Sequence, residues 1–362
     1  MSRSGRNRGQ QRRALLPAGL LLLTLPLAHS NSALAQSTLV PVTAPGFKLS
    51  TFAAAPSGSS APDSIVIVKD TVWVAYGNGG KPDGSDGGKS TIIEYSTQGK
   101  PLRTLTVVGH SDGLRLDPRT NKLWAMQNED SNPNLVIIDP ATGSTDLFSF
   151  AGPQAHGGGY DDMSFKDGVV YVSASNPTPD AKGNVAGPSI VRITLGADHK
   201  VTAMPVLPGM PKAIDITTGA TTVLNLTDPD SMILTPAGDL LLDDQGDAQL
   251  VLFRRSTTKE PAVQVLPLLG GVQVDDTVFA TARHGYLLIA DRDANTVYKL
   301  EAPVWNQDAA FSASTGVAAS TKPPITPAIP AYVGQLDLHT GAVIPVVSNL
   351  ASPHGMAFAA TE

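Results

Sequence analysis

Apolar positions along this chain come in short runs of five to seven residues, alternating or fully apolar, separated by Gly, Pro, Asn and Asp. No stretch beyond the first 35 residues sustains a helical period, so the pattern predicts strands joined by tight turns. The runs align on a recurring element. It reads Asp63-Ser-Ile-Val-Ile, Asp112-Gly-Leu-Arg-Leu, Asp161-Asp-Met-Ser-Phe, Asp230-Ser-Met-Ile-Leu, Asp275-Asp-Thr-Val-Phe and His354-Gly-Met-Ala-Phe. A second strand is expected after each of the first five, at Val72–Tyr76, Leu123–Met126, Val169–Ser173, Leu240–Asp243 and Tyr286–Ala290. Third strands are expected at Ile92–Tyr95, Leu135–Ile138, Ile190–Ile193, Leu250–Phe253 and Val297–Leu300, with fourth strands such as Leu102–Val108 and Val263–Leu268.

The copies are spaced by 49, 49, 69, 45 and 79 residues, on a base that matches a four-stranded propeller blade. A single blade cannot bury its own apolar face, so such units stack radially around a channel. The fold class expected is therefore all-β, a six-bladed β-propeller with four-stranded blades over residues 36–362. The sixth copy, at His354, has almost no chain after it. Leu39–Val42 and Phe47–Phe52 are expected to close that blade from the N-terminal side, which also removes an exposed edge. The two long intervals are expected to hold insert loops at 207–227 and 302–331, the second ending in the proline-rich spacer Lys322–Pro330. The hairpin Tyr332–Val347 has no blade assigned by sequence.

Composition narrows the function classes. Gly (34) and Pro (29) are frequent in the 362 residues, charged residues are 16%, and 41% hydrophobic residues leave ample material for a core. The absence of cysteine excludes disulfides, thiolate metal sites and cysteine nucleophiles. Residues 1–35 read as a secretory signal peptide: Arg3, Arg6, Arg8, Arg12 and Arg13, then apolar Ala14–Ala28, then Ala33-Leu34-Ala35 before Gln36. Secretion or periplasmic export follows, with Arg12-Arg13 also fitting a twin-arginine signal. Cleavage there leaves 21 basic and 32 acidic residues, a net charge of −11. Such a surface excludes nucleic acid as a partner and attracts cations. A monomer without a membrane span is expected.

In a propeller, the residue that opens each inner strand and the loop after each second strand share one mouth of the channel. Asp63, Asp112, Asp161, Asp230, Asp275 and His354 are therefore expected to ring that mouth, joined by Asn128-Glu129-Asp130, Asp243-Asp244-Gln245 and Asp291-Arg292-Asp293. His110 and His156 precede two of the motif copies. Two readings stand. Either the ring holds a divalent cation, Ca²⁺ above others, since hard cations take six to eight oxygens; or each Asp caps its strand by accepting backbone N–H bonds. His110, His156 and Glu129 are the candidate acid–base groups. Gly109-His110-Ser111-Asp112-Gly113 spells a nucleophile elbow, but a strand rather than a helix is expected after Ser111.

On Ser111-Asp112-Gly113-Leu114, Pro229-Asp230-Ser231-Met232 and Pro353-His354-Gly355-Met356, and on second strands such as Leu123–Met126 and Leu287–Asp291, the chain resembles the gluconolactonase/regucalcin-like propellers and their NHL-repeat relatives. The resemblance implies a single divalent cation, with Asp112 and Asp230 at the inner-strand ligand positions. The Glu-Gly-Pro element of that family is missing; Pro62-Asp63-Ser64 stands in its place, which sets the lactonase activity apart from the metal. Three functions follow: a propeller binding a small molecule, peptide or glycan at its mouth; a metal-dependent lactone or ester hydrolase; and a lyase of the strictosidine-synthase or streptogramin-lyase type.

Overall fold

In the computed structural model, residues 40–257, 262–316 and 329–361 are described. The expected signal peptide and most of the Lys322–Pro330 spacer lie outside these residues. The chain is all-β. Second strands such as Thr71–Tyr76 are apolar throughout and buried on both faces, with Val72 through Tyr76 fully shielded from solvent. Outer strands such as Pro101–Val108 keep most side chains exposed. A sheet buried on both faces at its inner strands and wet at its outer edge is one packed face to face between neighbours.

The first unit runs up and down through Pro62–Val68, Thr71–Tyr76, Lys89–Ser96 and Pro101–Val108. Ser111–Asp117, Lys122–Gln127, Asn134–Ile138 and Thr145–Phe150 form a second run, and Met163–Lys166, Val169–Ser173, Pro188–Leu195 and Lys200–Pro208 a third. These two join at their outer strands by a short parallel pairing, Ser149 opposite Lys200. The fourth follows with Pro229–Leu234, Leu240–Asp244, Gln249–Arg254 and Ala262–Pro267. Residues 207–227, expected as a loop, instead contain the end of a strand and a hairpin, Lys212–Asp215 with Thr221–Val223, which lengthens the fourth sheet to six strands.

Pairing departs from chain order in the last third. Val274–Phe279 does not pair with Gly285–Asp291, as the sequence order suggests. It pairs with Ala310–Ser314, followed by Ala331–Leu336, Val343–Leu350 and the short Val42–Thr43. The span 302–331 thus supplies a central strand, and the Tyr332 hairpin completes that sheet. One contact that goes with this pairing is at Thr277, whose buried hydroxyl meets Ser312 Oγ at 2.9 Å and donates to Asp243 Oδ2 at 2.9 Å. An aliphatic strand alongside would remove the serine from this buried polar cluster. Gly285–Asp291 and Thr296–Glu301 go instead between Pro353–Ala360 and Lys48–Ala54. The N-terminal segment therefore serves two sheets: Lys48–Ala54 forms the outer strand of the His354 sheet, while Val42–Thr43 extends its neighbour.

The first strands of these units touch in a closed cycle, Pro62–Val68 to Ser111–Asp117 to Met163–Lys166 to Pro229–Leu234 to Val274–Phe279 to Pro353–Ala360 and back. Apolar clusters fill the gaps between successive sheets. Val74, Tyr76 and Tyr95 meet Leu288 and Ala290 at the seam between the first sheet and the last. Trp305 packs edge-on against Phe47, Phe311 and Phe358 between the last two. The arrangement is propeller-like.

Removing residues 40–54 should uncover the edges of Thr296–Glu301 and Val343–Leu350 and strip Phe52 and Ala53 from the seam core. A chain beginning at Ser60 is expected to aggregate or to melt well below the intact protein. Retention of a soluble monomer with the same Tm would contradict this closure.

Candidate functional site

Each motif copy has two working positions. In three copies the second reaches sideways to a neighbouring first strand. Ser64 Oγ donates to the carbonyl of Asp112. Asp162 Oδ2 accepts the backbone N–H of Met232 at 3.0 Å, and Asp276 Oδ2 accepts that of Met356 at 2.6 Å. At Gly113 and Gly355 the neighbour comes so near that no side chain fits: a Cβ would lie 2.4 Å from the Asp161 carbonyl and 2.6 Å from that of Asp63. The structural duty of the repeat therefore falls on this second residue.

The first position is left free of it. Asp63, Asp112, Asp161, Asp230 and Asp275 all line one cavity of about 200 Å³, together with His354, His110, Glu129 and Arg292. Among the described residues, none of those five carboxylates accepts a backbone N–H. The expectation that they cap their own strands has no hydrogen bond behind it. No aliphatic or aromatic side chain lines the cavity; Ser, Gln, Gly, acids and bases make up its wall.

Glu129 is aimed by its own loop. Asn128 sits at φ +65°, its side-chain oxygen accepts the backbone N–H of His110 at 2.8 Å, and its amide donates to the carbonyl of Asn132. Gly159 backs this loop, its N–H 2.9 Å from the Glu129 carbonyl, where a Cβ would collide with the backbone of residues 128 and 129. Gly159 thus brings backbone against the Glu129 loop, while Gly158 meets the carbonyls of Ser175 and Asn176.

Two sets of potential ligands meet at Glu129. In one, single atoms of Glu129, Asp161 and Asp230 lie within 4.8 Å of one another; in the other, those of His110, Asp112 and Glu129 do. The three carboxyls of the first set are chained by hydrogen bonds, Glu129 to Asp161 to Asp230. Burial, reinforced by the neighbouring acids, holds Asp112, Asp161 and Asp230 well above the usual carboxylate range. Burial likewise pushes Glu129 up to about 7.

On another side of the cavity, His354 Nδ1 lies 3.0 Å from Asp275 and 3.7 Å from Asp63, while Nε2 meets Ser352 Oγ at 3.1 Å. Burial works against charge on this ring, but the two carboxylates prevail and push it up to about 10. His354 is an imidazolium held between acids. His156 is elsewhere: Nε2 is 2.6 Å from the Gly159 carbonyl, the ring packs on Tyr160, and burial lowers its pKa. It does not line the cavity. Ser111 opens a strand, as its sequence context predicts, and its Oγ accepts from Gln127.

Sequence reasoning missed Arg115 as a site residue, whereas Arg292 lines the cavity as expected for the loop Asp291-Arg292-Asp293. Arg115 rises from Ser111–Asp117 and pairs with Asp162 and, at 3.6 Å, with Asp276. It ties the second unit to the third and the fifth. Burial raises Asp276 to about 7 even against this guanidinium. Arg292 is half-buried in the cavity wall, and its side chain makes no hydrogen bond or ion pair among the described residues. The doubled acids Asp161-Asp162 and Asp275-Asp276 were the available signal for an internal countercharge.

No protein-family profile matches this chain, and no curated protein does. Solved structures similar to it include one provisionally assigned as a gluconolactonase, 13% identical, with a TM-score of 0.47 over 85% of this chain and 83% of that one. A protein of unknown function from Bacteroides caccae is 8% identical, with a TM-score of 0.48 over 83% and 87%. Virginiamycin B lyase from Staphylococcus aureus is 13% identical, with a TM-score of 0.33 over 70% and 99%. Likenesses this distant carry no argument about activity, which rests on the chain's own geometry.

The sign of the pH dependence follows from the raised groups. Between about 4.5 and 7 the folded chain holds protons on Glu129 and Asp276 that the unfolded chain releases; His354 extends the same imbalance to about 10. Folding stability of the metal-free protein should therefore fall as pH rises from about 5 to about 9. Scanning calorimetry in chelator across that range checks it; a flat or rising Tm would refute it.

Proposed function

We propose that this protein is a six-bladed β-propeller, closed by its Lys48–Ala54 strand, whose mouth binds one divalent cation and a small polar ligand beside it. The observation that carries the reading is the convergence of buried Asp161 with half-buried Glu129 and Asp230 at one cavity, hydrogen-bonded through one another and free of backbone donors among the described residues. Gathered carboxylates of this kind need a proton or a cation between them. An all-oxygen set suits a hard cation, Ca²⁺ first, with water or ligand oxygens filling the remaining positions. The cycle of first strands and the cores between successive sheets support the blade count. The arginine-led, apolar segment before Gln36 supports export, and no helix among the described residues is long and apolar enough to cross a membrane.

The polar wall favours a ligand that offers hydroxyls or charge over an apolar one. A second reading, hydrolysis of a polar lactone or ester at the same cation, is supported by Arg292. An unpaired guanidinium in the wall could stabilise the oxyanion that forms when water adds to a carbonyl held by the metal. His354 and Asp275 would then order the surroundings rather than accept a proton, because the imidazole already carries one.

Ca²⁺ at 100-fold above its dissociation constant should stabilise the protein by about 2.7 kcal/mol. Calorimetry is expected to show a higher Tm in Ca²⁺ than in EDTA for the wild type, and no difference for Asp161→Asn with Asp230→Asn. Identical melting curves for the wild type in the two solutions would rule out the cation reading. A screen of polar lactones and esters, with and without chelator, separates binding from hydrolysis.

A further inference from the structure

The two ligand sets share one residue. Each needs an oxygen from Glu129, and a carboxylate has two. His110 and Asp112 complete one set, Asp161 and Asp230 the other, and Glu129 is the residue common to both. A carboxylate between two ligand sets is the arrangement of a two-metal centre, in which it bridges. We infer that the mouth holds two cations, the second bound by His110, Asp112 and Glu129, with Glu129 as the bridge.

The second set has its own unsatisfied chemistry. Asp112 is only 6% exposed, lines the cavity, and its Oδ2 has no hydrogen-bond partner. His110 is 3% exposed and its Nδ1 has no hydrogen-bond partner; Nε2 faces Asp112 Oδ1 at 3.4 Å. Buried histidines and aspartates are ordinarily satisfied by protein donors and acceptors. Here they are positioned, by the Asn128 side chain on the His110 backbone, and His110 Nδ1 and Asp112 Oδ2 are left without partners.

Charge points the same way. Nine carboxyl groups line the cavity against Arg115, Arg292 and the imidazolium of His354. One dication leaves a large negative excess if those acids are ionised, and a second reduces it. The chemistry of the sets differs, which assigns the ions. The all-oxygen set suits Ca²⁺ or Mn²⁺, whereas a set with an imidazole suits a first-row transition dication such as Mn²⁺ or Zn²⁺.

This inference rests on the cation reading above, and the experiment separates the two. Chelator-stripped full-length protein is titrated with Mn²⁺ alone, with bound metal counted by elemental analysis and the ions read by electron paramagnetic resonance. The wild type is expected to bind two equivalents with a spin-coupled signal, and His110→Gln one equivalent with an uncoupled signal. One equivalent in the wild type, unchanged in His110→Gln but lost in Asp161→Asn with Asp230→Asn, would overturn the second cation and leave the first. No bound Mn²⁺ in the wild type would overturn both. Circular dichroism verifies folding, and Asp112→Asn replaces His110→Gln if that variant does not fold. Should neither fold, the wild-type stoichiometry and coupling decide.

Discussion

A carboxylate taken out of water must find a hydrogen-bond donor, a countercharge or a proton. Most buried acids in this chain take one of the first two. Asp291 accepts the N–H groups of Ala351 and Ser352, Asp244 that of Asp228, and Asp162 and Asp276 share Arg115. The acids that open the first strands accept no backbone N–H among the described residues, whereas the second-position acids Asp162 and Asp276 accept those of Met232 and Met356. The site is the residue of that accounting: a radial fold satisfies its backbone everywhere and leaves a surplus of carboxyls at its centre.

Arg115 makes the surplus tolerable. Its guanidinium lies across the ring, reaching Asp162 on an adjacent strand and Asp276 on a more distant one, and it contributes to the wall of the cavity. Removing one partner from such a buried set costs about 3–5 kcal/mol, because the remaining charges are stranded. The same residue therefore joins separate sheets and sets the charge against which any ligand at the mouth is balanced.

Much of this was legible in the sequence, for a reason specific to repeats. A strand that must open at the same radial position in every unit stamps the same residue type at a regular interval, so Asp63 through His354 could be placed at one cavity without coordinates. Glu129 followed because the loop after a second strand returns to the same mouth. Partner choice was not legible. Alternation says that Gly285–Asp291 is a strand but not which strand lies beside it, and the pairing of Val274–Phe279 with Ala310–Ser314 joins segments far apart in the chain. Arg115 hid for a similar reason: one polar residue in an apolar run reads as a solvent-facing position, whereas here the run faces an interior lined with acids. His156 lies five residues before a motif aspartate, yet the glycines that follow turn its ring onto Tyr160 and the Gly159 carbonyl.

The sheet that closes the ring is assembled from residues 48–54, 285–301 and 353–360. Its contact order is high by construction, since pairing Lys48–Ala54 with Thr296–Glu301 brings together residues almost 250 positions apart. Contacts of that range form slowly and late, after the loop entropy between them has been surrendered. During synthesis from the N-terminus, Lys48–Ala54 must wait without its partner until most of the chain exists. Asp63 and Asp275 meet His354 only when the final strand docks. The acidic mouth therefore depends on both ends of the chain, because His354 reaches Asp63 and Asp275 from the strand Pro353–Ala360.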